Sequence, residues 1–309
     1  MKRQHLILTG LKHLITTGFL IFVILMGHPA AADPITIPIW KDGEGRVRVD
    51  ITLEDGRTVD FIVDTGMWST IITPNLVKAL ALSDFQDSSP GAESNSSHMS
   101  EKNYQSLNVV IGGKVDFLIQ TPEVLDLKFS NEPVYGVLGS EFLQQYTVGF
   151  DLEAGEMILS DTGPEGMFEG AEFVKLPMYS PFANLWMTDG IEVGDVQVTA
   201  FLDTGAAESL VNLKLVEALP ADAVDRSESN TGMVAAGSGK ATESYTAVFQ
   251  KITAGTRTWA NKNFNVSSGI FSQLRMNKKP AMLVGNDLLL SGRLIMDYPN
   301  GFVYFEVVK

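Results

Sequence analysis

Two short runs in the 309-residue chain carry residues suited to acid–base chemistry: Val59-Asp60-Phe61-Ile62-Val63-Asp64-Thr65-Gly66 and Val198-Thr199-Ala200-Phe201-Leu202-Asp203-Thr204-Gly205. In each, an apolar run delivers an Asp where the chain must turn, and the Gly permits a backbone path that a side chain would obstruct. The runs align without a gap at an offset of 139, with eight identities among the 22 positions ending at Leu80 and Leu219. A second block recurs at an offset of 146: Val137-Leu138-Gly139, Asp151 and Gly155 against Leu283-Val284-Gly285, Asp297 and Gly301. Two blocks in the same order indicate a duplicated unit. A two-fold arrangement of the copies would bring Asp64 and Asp203 together across the axis, each with a Thr that bonds into the opposite loop. Two carboxyl groups that close share one proton, so a single site holds an acid and a base and can activate water.

The elements that must position these residues read mostly as strands. Arg46-Val47-Arg48-Val49-Asp50-Ile51-Thr52-Leu53 alternates as a half-buried strand does, and Glu54-Asp55-Gly56-Arg57 turns it back into Val59 to Val63. Helical signals are brief: Pro74 before Leu76, Val77 and Leu80, and Asn212 before Leu215, Val216 and Leu219. Leu294 to Phe305 reads as a hairpin about Asn300-Gly301, and Gly163, Pro164, Gly166 and Gly170 mark a linker. The expected architecture is all-β, two β-barrel lobes related by a pseudo-two-fold axis with a few short helices. Residues 33–165 form the first lobe and 166–309 the second.

Composition narrows the function classes. With 37 acidic and 23 basic residues the net charge is -14, the wrong sign for exchanging counterions with phosphates, so nucleic acid is not an expected partner. The absence of cysteine removes disulfides, thiolate nucleophiles and cysteine metal sites. Histidine occurs only at His5, His13, His28 and His98, the last within a polar loop-like run, so neither a poly-His metal site nor a Ser/His/Asp triad is expected. No metal or other cofactor is called for. Lys2, Arg3 and Lys12 precede an apolar run from Leu14 to Met26, and Ala30-Ala31-Ala32 offers a small-residue cleavage site. Residues 1–32 therefore read as a signal peptide and the product as exported, periplasmic or secreted, with no membrane attachment after cleavage. Cleavage would move the charge from -14 to -17. The residues between Ala32 and Asp64 already read as strands, so no inhibitory pro-segment is expected.

The paired apolar-Asp-Thr-Gly runs, Thr70 and Ser209 six residues beyond each Asp, and the later Leu138-Gly139 and Val284-Gly285 pairs resemble the aspartic proteases, in particular the retropepsin-like proteins of bacteria. The resemblance spans nearly all of the chain after residue 32, in two copies, in a pepsin-like single-chain arrangement. It implies that Asp64 and Asp203 are the catalytic pair and that Thr65, Gly66, Thr204 and Gly205 support them. It also implies that the two Gly pairs pack behind the loops. The implied reaction is peptide-bond hydrolysis without a covalent intermediate. One carboxylate takes a proton from water while the other carboxyl polarises the scissile carbonyl. The shared proton is a long-known property of that family's dyad. The expected partner is a peptide or protein substrate, and the expected state is a monomer with an intramolecular site.

The chain departs from the family pattern straight after Asp-Thr-Gly, where Ala, Ser or Thr is usual. Ala206 fits, whereas Met67 does not, and Trp68 beside it is bulky. With no hydroxyl at either place to stabilise the ionised outer oxygens, a pH optimum nearer neutral is expected than in enzymes with Ser there. Met67 and Trp68 also leave open the alternative of a non-catalytic protein that holds or scaffolds an extended peptide between the lobes by strand addition. Thr231 to Lys240 has the glycine-rich tip of a flap; the first-lobe counterpart, Ser88 to Ser100, is polar. A third Asp-Thr-Gly at Asp161 reads as a turn, and Asp151 and Asp297 as turn and charge-pairing residues.

Overall fold

Alternation builds the first hairpin. In the computed structural model, which describes residues 33–82, 104–127, 132–181, 184–227, 229–235 and 241–308, strand Val47–Leu53 pairs antiparallel with Thr58–Val63 in the register Arg48↔Ile62 and Thr52↔Thr58. Gly56 takes the turn at φ 83°. Val47, Val49, Ile51 and Phe61 point into the core. Arg48 departs from the alternation. Read as a polar, outward position, it is in fact 1% exposed, because Asp42 accepts from its Nε at 2.8 Å and Asp60 from its Nη1 at 2.7 Å. A buried guanidinium is tolerated only when paired in this way.

The strand that leads to each Asp runs parallel to the strand of the downstream Gly block. Thr58–Val63 lies beside Gly136–Leu138, with Val63 opposite Leu138, and Ile71–Ile72 closes on the far side antiparallel. The second lobe repeats this: Val196–Leu202 beside Ala281–Val284, Leu202 opposite Val284, and Leu210–Val211 antiparallel to it. Each Asp-bearing strand is thus central, its backbone bonds satisfied on both sides, which is what holds a carboxyl at its end rigidly. The repeated pairing is the pseudo-two-fold relation of the two lobes. The fold is all-β with five short α-helices and one 3-10 turn among the described residues.

A shared sheet joins the lobes. Its strands follow the order Phe173–Pro177, Phe302–Glu306, Leu294–Asp297, Thr147–Asp151, Glu156–Ser160 and Ile35–Lys41. Within this sheet the lobes meet at the antiparallel pair Thr147–Asp151 with Leu294–Asp297, in the register Phe150↔Leu294 and Thr147↔Asp297. Asp151 pairs with a charge, Arg293 Nε at 2.7 Å, whereas Asp297, expected to do the same, is held by neutral donors: Thr147 Oγ1 and Asn300 Nδ2 both donate to it at 2.9 Å. The last hairpin, expected to turn on Asn300-Gly301 alone, uses the four residues 298–301, because Asp297 is the last to pair and its carbonyl accepts from Gly301 N.

The two expected helices form at Pro74–Leu80 and Leu213–Ala218. Asn212 caps the second: its Oδ1 accepts from Leu215 N and from Ala281 N, while its Nδ2 donates to Met276 O and Lys279 O. At 2% exposure these bonds have no water to replace them. Asn212→Ala is expected to cost about 2 kcal/mol or more, the loss of a cap plus stranded buried groups; chemical denaturation with an unchanged m-value checks this. No helix among the described residues is long and apolar enough to cross a membrane. The leader reading of residues 1–32, His98, Ser88 to Ser100 and the flap tip 236–240 all lie outside the described residues.

Candidate active site

Both Asp loops begin the same way. Asp64 N donates to Leu138 O at 3.0 Å and Asp203 N to Val284 O at 3.1 Å, so the end of each parallel strand pair sets the position of its Asp. Behind the loops Gly139 N donates to Thr70 Oγ1 at 3.1 Å and Gly285 N to Ser209 Oγ at 3.0 Å. Both glycines are required by close approach: a Cβ at Gly139 would strike Ser69 backbone, and one at Gly285 would lie 2.6 Å from the Glu208 carbonyl carbon.

The threonines lock the two loops to each other. Thr65 N donates to Thr204 Oγ1 and Thr204 N to Thr65 Oγ1, both at 3.0 Å. Thr65 Oγ1 donates onward to Leu202 O and Thr204 Oγ1 to Val63 O, both at 2.9 Å. Both threonines are fully buried. Four reciprocal bonds across the axis leave little freedom in the separation of the two strand ends.

That lock brings the carboxyls together. The two carboxyls face each other, and each lies on the other lobe's glycine: a Cβ at Gly66 would fall 2.6 Å from Asp203 Cγ, and one at Gly205 would overlap the Asp64 carboxyl. Gly66 N donates to Asp64 Oδ1 at 2.7 Å and Ala206 N to Asp203 Oδ1 at 3.1 Å. Burial raises both acids. Asp64 is held back by the N–H groups of Gly66, Met67 and Gly205 and by the facing Asp203 carboxyl, whereas the charge of Asp64 drives Asp203 well above the usual carboxylate range. The two buried acids therefore titrate as one coupled pair, in which ionisation of one keeps the proton on the other. All six residues expected from the motifs, Asp64, Thr65, Gly66, Asp203, Thr204 and Gly205, meet at this one place.

Met67 does not project as a loose obstruction. Its side chain packs on the cluster of Ile62, Ile71, Val134 and Val137, and its carbonyl accepts from Ser140 N at 2.8 Å. Trp68 beside it is 40% exposed. At the two places after Asp-Thr-Gly the carboxyls receive backbone N–H groups of Met67 and Ala206. A hydroxyl at position 206 would add a donor to the ionised form, so Ala206→Ser is expected to move the acid limb of activity to lower pH by about half a unit or more, as read from a pH–rate profile.

In the second lobe, Thr231–Ala235 pairs antiparallel with the start of Ala241–Ala254, Ala235 opposite Ala241. Val234 of this hairpin and Ala206 of the Asp loop pack on one apolar cluster that includes Leu185, Phe201, Leu210 and Leu283. The hairpin and the Asp203 loop thus share one apolar seat. Asp161 of the third Asp-Thr-Gly is exposed in a bend, where Ser160 and Thr162 hydroxyls bond to each other.

Residues 190–288, which contain Asp203-Thr204-Gly205 and Val284-Gly285, match the model of the family described as aspartyl protease. Solved structures similar to the chain include a basic 7S globulin from soybean, 13% identical with a TM-score of 0.49. Another is conglutin gamma, a basic 7S globulin from lupine seeds, 11% identical with a TM-score of 0.48. Each alignment covers 89% of this chain and 95% of the other. No curated protein sequence matches significantly.

Proposed function

We propose that the chain is an aspartic endopeptidase whose dyad, Asp64 and Asp203, hydrolyses peptide bonds by activating water. The observation that supports this most is the seating of the Asp64 and Asp203 carboxyls against each other's glycine, in two Asp-Thr-Gly loops locked by their threonines. In this reading Asp64, ionised, is the base that takes a proton from a bound water. Asp203 donates its proton to the scissile carbonyl as the water oxygen adds and the gem-diol forms; the proton now on Asp64 then passes to the leaving amine as the C–N bond breaks, and a gem-diol hydroxyl returns a proton to Asp203. The dyad ends the cycle as it began, with one proton between two carboxyls. Ionisation of both would remove the acid; protonation of both would remove the base.

The reading extends to an intramolecular site that needs no second copy, since both Asp loops belong to one chain, and to an extended peptide lying between the lobes beside the Thr231–Ala235 hairpin. Export rests on the basic, apolar and small-residue segments of residues 1–32. Incubation of the purified protein with a mixed peptide library, with and without pepstatin, tests the reading. Cleavage that pepstatin blocks supports it. Binding of extended peptides without any cleavage would favour a peptide-holding protein on the same fold.

A further inference from the structure

A peptide N–H donates more strongly when the C=O of the same amide accepts a hydrogen bond, because both polarise one group. Two amides serve the dyad in this molecule. Gly66 N, of the Thr65–Gly66 peptide, donates to Asp64 Oδ1, and Gly205 N, of the Thr204–Gly205 peptide, faces the two carboxyls and favours their ionised forms. The opposite ends of these same amides are each held by a side chain from the downstream Gly block: Ser140 Oγ donates to Thr65 O at 3.0 Å, and Asn286 Nδ2 donates to Thr204 O at 2.8 Å. Ser140 is fully buried and Asn286 is 2% exposed, so water does not compete for either carbonyl. Positions 140 and 286 are equivalent in the repeat, one residue beyond Gly139 and Gly285.

We propose that Ser140 and Asn286 are positioning residues that orient and strengthen the N–H donors on which the Asp64 and Asp203 carboxyls rest. This deepens the endopeptidase reading and rests on it only in taking that dyad as the working group. The two copies are not equivalent. Asn286 Nδ2 also donates to Gly45 O at 3.1 Å, in the first-lobe loop that Asp42 holds by accepting from Glu44 N and Arg46 N. Asn286 Oδ1 is buried with no hydrogen-bond partner. The position is therefore used through its donors alone, and an amide serves two carbonyls where a hydroxyl serves one. The second Asp loop is tied by this contact to the opposite lobe as well as to its own.

Other ionisable groups stand around the dyad and behind its loops. Tyr298 is buried within electrostatic reach of Asp64. Glu141 accepts from Thr70 N, and Asp287 accepts from Ser209 Oγ with Lys262 and Glu208 nearby. Each is kept in the variants below, so a change in dyad titration isolates the amide donors. The test is a carbon-13 NMR titration of the full chain labelled at Asp carboxyls, with the dyad signals assigned through Asp64→Asn. Ser140→Ala and Asn286→Ala are each expected to raise the lower apparent pKa of the dyad by about half to one unit, because the carboxylate loses part of its N–H stabilisation. Asn286→Ser restores a donor to Thr204 O without reaching Gly45 and is expected to titrate close to the unaltered protein. Wild-type titration in Ser140→Ala, or equal shifts in Asn286→Ser and Asn286→Ala, would overturn the proposal. Should Asn286→Ala fail to fold, Ser140→Ala, which removes one oxygen, decides. The titration needs no turnover: absent peptide cleavage counts against the endopeptidase reading alone, whereas an active enzyme with unmoved titration counts against this inference alone.

Discussion

Asp203→Asn is expected to lose at least about a thousandfold in kcat/KM for any cleavable peptide, while folding normally and gaining stability at neutral pH. The loss follows from removing the proton donor of a two-carboxyl site, in which the acid and base roles are each worth about 10²- to 10⁴-fold. The gain follows from linkage. Burial and the charge of Asp64 raise Asp203 above its unfolded value. A raised acid contributes its full share of stability only below its unfolded pKa and loses it as pH rises through the interval up to the folded pKa. An Asn cannot titrate, yet its amide can donate to Asp64, so the variant escapes that loss. Its advantage in Tm should be clear near neutrality and shrink on acidification toward the ordinary carboxylate range. A variant less stable than wild type at neutral pH, or one that keeps full activity, would contradict the assignment of the proton.

Thr204→Val should cost about 2–6 kcal/mol and lower activity by more than its effect on the folded fraction. Valine matches threonine in shape, so packing changes little. The variant leaves Thr65 N and Val63 O without their partners in a fully buried place. Each stranded backbone group costs about 1–3 kcal/mol. Because those bonds also set the distance between the strand ends that carry Asp64 and Asp203, the carboxyl contact should loosen even in molecules that remain folded. Denaturant titration reads the first effect, and kcat measured well below the midpoint reads the second. Equal, modest effects on both would reduce the threonine lock to ordinary packing.

The duplicated motifs made the core of this site legible in the sequence. A carboxylate at the end of an apolar run and a Gly three residues into the loop are local requirements, and the 139- and 146-residue offsets declare which copies correspond. Contacts across the repeat were harder to read. Ser140 and Asn286 do the same job on Thr65 O and Thr204 O, but a hydroxyl and an amide share no letter, so identity counting passes over them. The position directly after each recurrent Gly was the available signal. Arg48 was obscured by a different cause: strand alternation reports which face a residue takes, and it carries no trace of the Asp42 and Asp60 carboxylates that cover that face. Met67 looked like an intrusion because the motif alone does not reveal that the first lobe offers an apolar seat formed by Ile62, Ile71, Val134 and Val137.

The most direct measurement is the pH dependence of kcat/KM on a peptide drawn from the library, from about pH 3 to about pH 9. One proton held between Asp64 and Asp203 requires a bell: activity rises as the first carboxyl ionises, falls as the second does, and both limbs vanish with either Asp→Asn substitution. A plateau that persists at the alkaline end, where neither carboxyl retains a proton, would contradict it.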